Sequence, residues 1–393
     1  MKKIYFISIF LILFSGTNFS HGKIGYNSGL DRTISFPDTE DYLTLSTDLH
    51  THSVFSDGHV WPNIRVAEAQ KDSIDVLAIT EHLEYQPHIN QIPHEDRNSS
   101  YVEAKKSASG SDLIVINGSE ITREMPPGHI NAVFVKDANK LHNMDPKLLP
   151  EAKELIEERA QGAELPEEEM RVIENYALGN LWPALEALVE AKKQGAFVFW
   201  NHPMWGSQAP DGIARLDEMH KEFIEKGLLH GIEIVNTNTY SEEAFNIALE
   251  NNLALIGTSD VHNLIEWDYD VSNNEHRPIT LVFAKERNEE SIKEALFARR
   301  TVVVFKDKLM GKSENLIPLL ESIISVSSNG YTKGTQILNM EIKNNSSANM
   351  VIQNLSDVNF SNNDDLITIP KNGKTNLQVK TLENLERLNL KFK

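Results

Sequence analysis

The sequence predicts an α/β fold: about seven strand–helix units approaching a closed barrel, interrupted by a helical insertion and followed by a small β-sandwich-like C-terminal domain. Three observations predict it. Short, buried, β-branched runs such as Ile74–Thr80 (IDVLAIT), Leu113–Asn117 (LIVIN), Ala196–Trp200 (AFVFW) and Leu253–Gly257 (LALIG) alternate with amphipathic stretches, as parallel βα units do. Histidines or carboxylates recur at the C-terminal ends of these runs, where the loops of a barrel gather their side chains. Beyond about residue 310 the composition changes, and 331–393 is rich in Asn, Ser and Thr with short alternating runs, the pattern of antiparallel strands. An open doubly wound sheet is the alternative architecture. No glycine-rich phosphate loop follows the first strand, which argues against a nucleotide-binding version of it.

In chain order, residues 1–22 read as a signal peptide. Lys2 and Lys3 form a basic start, Ile4 to Phe14 is apolar but short for a membrane span, and Ser20-His21-Gly22 offers small residues for cleavage before Lys23. The expected product is exported, soluble and periplasmic, with no stable membrane insertion once the signal is removed; an uncleaved anchor is the alternative. With no cysteine in the chain, neither a lipid-anchoring thiol nor a disulfide is available. After a polar entry at 23–40, Leu43 to Leu49 reads as a strand and Pro62 to Lys71 as a helix with proline in its first turn. Ile130 to Lys136 is a strand after the turn Pro126-Pro127-Gly128. Residues 146–178 are acidic and helix-rich, a helical insertion placed between two candidate site loops as a lid would be. Helices at Leu181–Gln194, Leu216–Lys226, Glu242–Asn251 and Glu289–Arg299 then alternate with strands at Ala196–Trp200, Gly231–Val235, Leu253–Gly257, Ile279–Ala284 and Thr301–Phe305. The main domain is therefore set at 23–310 and the small β domain at 331–393. The latter has turn signals at Asn344-Asn345 and Asn372-Gly373, and no histidine, so no metal chemistry is assigned to it.

The chemistry-bearing stretch is Asp48-Leu49-His50-Thr51-His52. Residues i and i+2 of an extended chain point the same way, so His50 and His52 face one point, and Asp57 returns toward it through the turn at Gly58. His82, Glu120, His202, Asp260 and His262 follow the ends of later strands, and His129 stands at the start of another. A lone strand-end histidine is more often structural than a ligand. Six of the 14 histidines at such places, with Asp57, Glu120 and Asp260 beside them, indicate a shared metal site. Mixed imidazole and carboxylate donors suit Mn, Zn or Fe. The net charge of −19 repels nucleic-acid phosphates and excludes a duplex partner. A small anionic substrate stays compatible, because bound metal ions invert the local field.

Taken together, DLHTHSVFSDG from Asp48, AITEH to His82, NGSE to Glu120, GHI around His129, NHP around His202 and TSDVH to His262 resemble the PHP (polymerase and histidinol phosphatase) family of metal-dependent phosphoesterases. The motifs run in the family's order over about residues 45–305. The export signal, the size and the β-rich tail further resemble its exported phosphodiesterase branch. The resemblance implies a distorted (β/α)7-type PHP barrel with two or three divalent metal ions. It implies His50, His52 and Asp260 at a first metal, Glu120 bridging to a second completed by His129 and His202, and Asp57, His82 and His262 at a third. The implied reaction is hydrolysis of a small phosphate ester, foremost a phosphodiester, by a metal-bridging hydroxide. Glu120 and Asp260 would be the catalytic carboxylates, Asp260 also accepting a proton. Arg123 and Arg277 are candidate substrate-binding forks for a phosphate, with surface ion pairing as the alternative. Trp205 and Tyr240 are candidate pocket walls, with ordinary packing as the alternative. Two other functions stay open: a phosphomonoesterase of the histidinol-phosphatase type, and a non-catalytic periplasmic metal-binding protein. The sequence leaves the oligomeric state open.

Overall fold

Strand β1 (Leu43–Asp48) is buried along nearly its whole length, as a run without alternation requires when both faces are covered. It sits inside a large sheet in a computed structural model that describes residues 32–143, 145–273, 275–382 and 390; the expected signal peptide lies outside these residues. Along the chain follow α1 (Pro62–Lys71), β2 (Val76–Ile79), α2 (Ser99–Ser107), β3 (Ile114–Ile121), β4 (Ile130–Val133), α3 (Leu149–Ala160), α4 (Met170–Asn180), α5 (Ala184–Gln194) and β5 (Phe197–Trp200). Next come α6 (Glu218–Glu225), β6 (Gly231–Asn236), β7 (Thr239–Tyr240), α7 (Glu242–Glu250), β8 (Ala254–Thr258), α8 (Ile265–Asp268), β9 (Ile279–Ala284), α9 (Glu289–Phe297), β10 (Thr301–Phe305), β11 (Lys308–Gly311) and α10 (Ser313–Ile323). Side chains set several helix starts: Ser241 caps α7 and Asn288 caps α9, each accepting a backbone N–H.

The strands form one curled sheet in the order β11-β10-β9-β1-β2-β3-β4-β5-β6-β7, with β8 paired to β6. The sheet bends back until β8 reaches β9 and β10. A Cβ on Gly257 would lie 2.3 Å from Val303 Cγ1, so only glycine allows that approach, and Gly257 N donates to Thr280 Oγ1 at 2.8 Å. An isolated parallel bridge between Thr51 and Val261 brings the ends of β1 and β8 together. The result is a curled half-barrel with helices outside.

Its strands are not all parallel, as the repeating strand–helix pattern suggests. β4 is antiparallel to both β3 and β5, and β9 is antiparallel to β1 and β10. No helix separates β3 from β4, and a connection without a crossover can join only antiparallel neighbours. The consequence is functional: β4 begins where β3 and β5 end. His129, just before β4, therefore stands at the same mouth as the residues that follow the parallel strands. Helices α2 and α10 are additional to the sequence reading; α2 (SSYVEAKKS) has few large apolar residues, and Val102 among them is exposed.

The C-terminal domain contains β12 (Ile324–Tyr331), β13 (Ile337–Asn344), β14 (Met350–Gln353), β15 (Asn359–Phe360), β16 (Leu366–Ile369) and β17 (Lys374–Lys380). They form a four-stranded antiparallel sheet, β12-β13-β17-β15, and a β14–β16 pair. The domain begins at Ile324 rather than 331, because β12 leaves α10 directly and its mostly exposed ISVSSNGY carries little hydrophobic signal. Leu338, Met340 and Ile342 alternate inward from β13 and meet Leu377 and Val379 of β17. The same core includes Ile279, Val302, Leu319 and Ile323 of the main domain. Each such side chain contributes about 1.5–3 kcal/mol when fully buried.

Candidate metal centre

The ends of β1 and β8 fix the first donors. Asp260 N donates to His50 O at 3.0 Å, and His52 N donates to Val261 O at 3.1 Å. His50 and His52 point inward side by side, their Nε2 atoms 3.0 Å apart. Gly58 turns the following loop back so tightly that a Cβ would lie 2.8 Å from His52 C. Glu81 braces that loop through Ser53 and Ser56. Asp57 is thereby returned to within 3.1 Å of His262 Nε2 and 3.5 Å of His82 Nε2. Strand β3 outruns β2 far enough to carry Glu120 to the mouth, where Glu120 N donates to Glu81 O.

Glu120 is the hub. Nitrogens of five imidazoles lie within 3.3 Å of its two oxygens: His50, His52, His82, His129 and His202. Asn201 Nδ2 donates to it as well, at 2.9 Å. Asp260 Oδ1 stands 3.2 Å from both His50 Nε2 and His52 Nε2. His202 and Asp260 have positive φ, +29° and +48°, a strained backbone held in place by its surroundings; His202 N donates to Glu233 Oε2 at 2.7 Å.

Four overlapping groups place their donor atoms within 4.8 Å of one another: His52, Asp57, His82 and His262; His50, His52 and Glu120; His50, His202 and Asp260; and His82, Glu120 and His129. All nine residues predicted as ligands thus converge. The grouping differs in detail from the expected division. His202 falls with His50 and Asp260, and His82 falls also with Glu120 and His129. The donor set fits divalent cations, with imidazole and carboxylate and no thiolate. Asp57 Oδ1 is buried and faces His262 Nε2 at 3.1 Å, a pair of donors that an ion could share.

Among the described residues, the ion-pair partners of the cluster's Asp57, Glu120 and Asp260 are all histidines. Burial by itself would raise Glu120, but the imidazoles of His82, His50 and His129 outweigh it and hold it well below the usual carboxylate range. Asp57 is held low against burial by His82 and His262, and Asp260 by His50, His52 and His262. Burial works against protonated histidine, yet Glu120 and Asp57 carry His82 up to about 9, and Asp57 and Asp260 carry His262 up to about 10. His50 is likewise raised, against burial, by Asp260, Glu233 and Glu120. For His129 burial wins, and its pKa is lowered. Protons therefore sit where cations would, and metal loading must displace them.

The two predicted phosphate forks face elsewhere. Arg277 is fully buried and divided between Asp48, at 3.1 Å, and Asp72, at 2.7 Å. Its guanidinium has no path to a substrate. Asp48 in turn accepts from Ser259 N and Oγ, so Arg277 supports the loop that carries Asp260. Arg123 binds Glu84, Thr122 O and Trp182 O. A spacing of three from Glu120 in extended chain turns it to the opposite side. Of the candidate walls, Trp205 is 41% exposed and sets its ring edge-on to His129 and His202, at 5.5 and 5.2 Å between centroids. Tyr240 is also exposed, on β7. The helical insertion reaches the site through Tyr176, whose ring meets Tyr85, which in turn meets His82.

Glu233 is the residue the motif reading missed. It is fully buried in β6 and accepts from His50 Nδ1 at 2.8 Å, Thr258 Oγ1 at 2.6 Å, His202 N and Asn236 Nδ2. It fixes the His50 ring with Nε2 toward the cluster, as carboxylates beside ligating histidines do. The signal was present: a glutamate inside GIEIV is a charge within a buried strand, and such a charge needs partners.

Residues 324–393 match the model of an Ig-like domain family. Among solved structures, the chain is similar to a two-domain protein from Bacteroides vulgatus containing a predicted PHP-like metal-dependent phosphoesterase. The identity is 34%, over 90% of this chain and 91% of that one, with a TM-score of 0.74. A candidate metal-dependent phosphoesterase from Bifidobacterium adolescentis is 20% identical over 56% of this chain and 89% of that chain, with a TM-score of 0.41. An amidohydrolase from Chromobacterium violaceum with bound sulfate and no metal is 18% identical over 56% and 88%, with a TM-score of 0.40. No curated protein matches the chain.

Proposed function

Because the chain belongs to the PHP-like metal-dependent phosphoesterases, we propose that it hydrolyses phosphate esters, phosphodiesters foremost, with divalent ions held by the nine-residue cluster around Glu120. The observation that carries this reading is the convergence of nine donor residues, from strands far apart in sequence, into four overlapping groups, two of which contain Glu120. Divalent ions in such a donor set neutralise phosphoryl oxygens and make water acidic enough to attack near neutral pH. The chain's own residues do the rest. Glu120 supplies a buried negative charge shared by five of the cluster's imidazoles. Asp260 is 12% exposed at the mouth, where Asn236 Nδ2 donates to its Oδ2 at 3.1 Å; it takes up the proton released by the attacking water. Trp205, exposed beside His129 and His202, offers a face to the organic part of the ester. The imidazoles ligate only when neutral, so activity should fall in acid.

The test is hydrolysis of bis(p-nitrophenyl) phosphate and p-nitrophenyl phosphate by the purified protein loaded with Mn. Turnover of the diester supports the proposal. Turnover of the monoester alone would favour the histidinol-phosphatase type, and bound metal with no turnover of either would make the protein a metal binder. Mn, Zn and Fe all suit the donors, in two or three sites. Export to a periplasm is likewise proposed, from residues 1–22; no described helix is long and apolar enough to cross a membrane.

A further inference from the structure

The partner behind a histidine ring decides which of its nitrogens can hold an ion. A neutral imidazole carries one N–H and one lone pair, and only the lone pair ligates. His50 Nδ1 faces Glu233 Oε1 at 2.8 Å, and His262 Nδ1 faces the carbonyl of Asp260 at 2.8 Å. Both partners accept, so both rings keep their proton at the back and turn a free Nε2 to the cluster. His202 is backed differently. The loop after β5 coils on itself, with Trp205 N donating to His202 O and Gln208 N donating to Trp205 O. This brings the Gln208 side chain behind the His202 ring, where its Nε2 stands 2.8 Å from His202 Nδ1. An amide nitrogen can only donate.

The neighbours of Gln208 fix which way its amide points. The indole Nε1 of Trp200, which can only donate, donates to Gln208 Oε1 at 3.1 Å. The carbonyl of Asn201, which can only accept, lies 3.5 Å from Gln208 Nε2. The indole is held in turn, fully buried and stacked on His220 at 3.9 Å between centroids. Turning the amide over would set its N–H₂ against the indole N–H and its oxygen against the carbonyl. His202 Nδ1 therefore accepts, and the ring proton sits on Nε2, 3.3 Å from Glu120 Oε1. This satisfies both groups and leaves no lone pair for an ion. We propose that Gln208 is a positioning residue that withholds His202 from metal, so that the ion completed by His202 is the last to load and the first to leave. For that ion to bind, the proton on Nε2 must be released and another taken up at Nδ1, with no net change, and the Gln208 amide must turn away.

This inference rests on metal binding by the cluster, the premise of the proposed function, and its test needs no turnover. Zn is titrated by calorimetry into the full-length, metal-free protein. The step that His202→Ala abolishes should be the weakest. Gln208→Glu, which puts an acceptor behind the ring, should tighten that step about 10–100-fold and leave the others within twofold. Long-range proton–nitrogen spectra of protein labelled at histidine should show His202 protonated on Nε2 before Zn is added, and on Nδ1 in the Gln208→Glu protein. Should Gln208→Glu not fold, Gln208→Met, which removes the donor, should tighten the same step at least threefold. A metal-free protein with His202 protonated on Nδ1 overturns the proposal. So does a His202-dependent step that is tighter than the rest, or one unchanged within twofold in a folded Gln208 variant. No Zn binding at all overturns it together with the proposed function. A protein that shows both signatures but hydrolyses neither ester keeps the role of Gln208 and loses that function.

Discussion

Two buried polar clusters lie back to back at the end of β1, and they solve the same electrostatic problem in opposite ways. Behind the strand, Asp48 and Asp72 are matched by Arg277, and Arg32 also reaches Asp72. Arg65, fully buried, pairs with Glu68 at 2.7 Å and holds the carbonyls of His52 and Val261. In front, among the described residues, every ion pair of Asp57, Glu120 and Asp260 is with histidine. A guanidinium is a permanent cation; an imidazole can give up its proton. The rear cluster is closed by the chain itself. The front one is neutral only provisionally, and its protons can be exchanged for metal ions. The difference separates support from function within a span of two residues, Asp48 and His50.

The largest expected effect that would break this contrast is at the hub. Glu120→Gln should lower turnover by about three orders of magnitude or more, beyond the 10–100-fold typical of groups that only orient ligands. The metal-free fold should survive, because His50 and His82 can shed their protons when the carboxylate charge goes. Steady-state kinetics with metal content measured by atomic absorption, and thermal melting without metal, check both parts. Retained turnover would show that Glu120 is not the shared ligand. Arg277→Met should do the reverse. It strands Asp48 in a dry interior and leaves Asp72 to Arg32 alone, and losing one partner of a buried pair costs about 3–5 kcal/mol. Urea unfolding of the metal-free protein reads this directly; a loss below about 1 kcal/mol would mean that the rear cluster is not what holds the loops.

Most of the front cluster was legible because its residues occupy strand ends, and strand ends can be read from hydrophobic runs. His50 and His52 followed from the period of two, and His82, His202 and Asp260 from apolar runs that stop just before them. His129 was legible only through its motif, since its place at the mouth depends on β4 running antiparallel, a fact of pairing that no local pattern carries. The arginines were read wrongly for a related reason. Sequence shows that Arg123 and Arg277 lie near the motifs, but not which side of the sheet they face or that Glu84, Asp48 and Asp72 claim them. Glu233 sharpens the contrast from the ligand side. It orients His50 without joining the cluster, so Glu233→Gln, which sets an amide N–H₂ among four donors, should weaken metal binding about 10–100-fold. Metal titration followed by calorimetry would show it, and unchanged affinity would mean that His50 is oriented by packing alone.

The smallest effect is the most selective, because it reads the imidazoles of the front cluster. In the metal-free protein His82 and His262 have folded pKa values of about 9 and about 10, against an ordinary 6.5. A value raised on folding contributes stability that is complete below pH 6.5 and disappears as pH rises through 9 to 10. Asp57, Glu120 and Asp260 are held low, so their contribution is present above the ordinary carboxylate range and is lost as acid is added. Metal-free protein should therefore melt highest near pH 5–6.5 and lose a few degrees toward pH 10. With excess Mn the sign reverses over the neutral range, because each proton removed from histidine favours the ion and bound ion stabilises the fold by mass action. Arg277 contributes to neither slope, since Asp72 and Asp48 overcome its burial and keep it charged at every accessible pH. Parallel melting curves with and without metal would show that the histidines are not being exchanged for ions. Opposed slopes would show that the protons of this cluster and its metals compete for the same nitrogens.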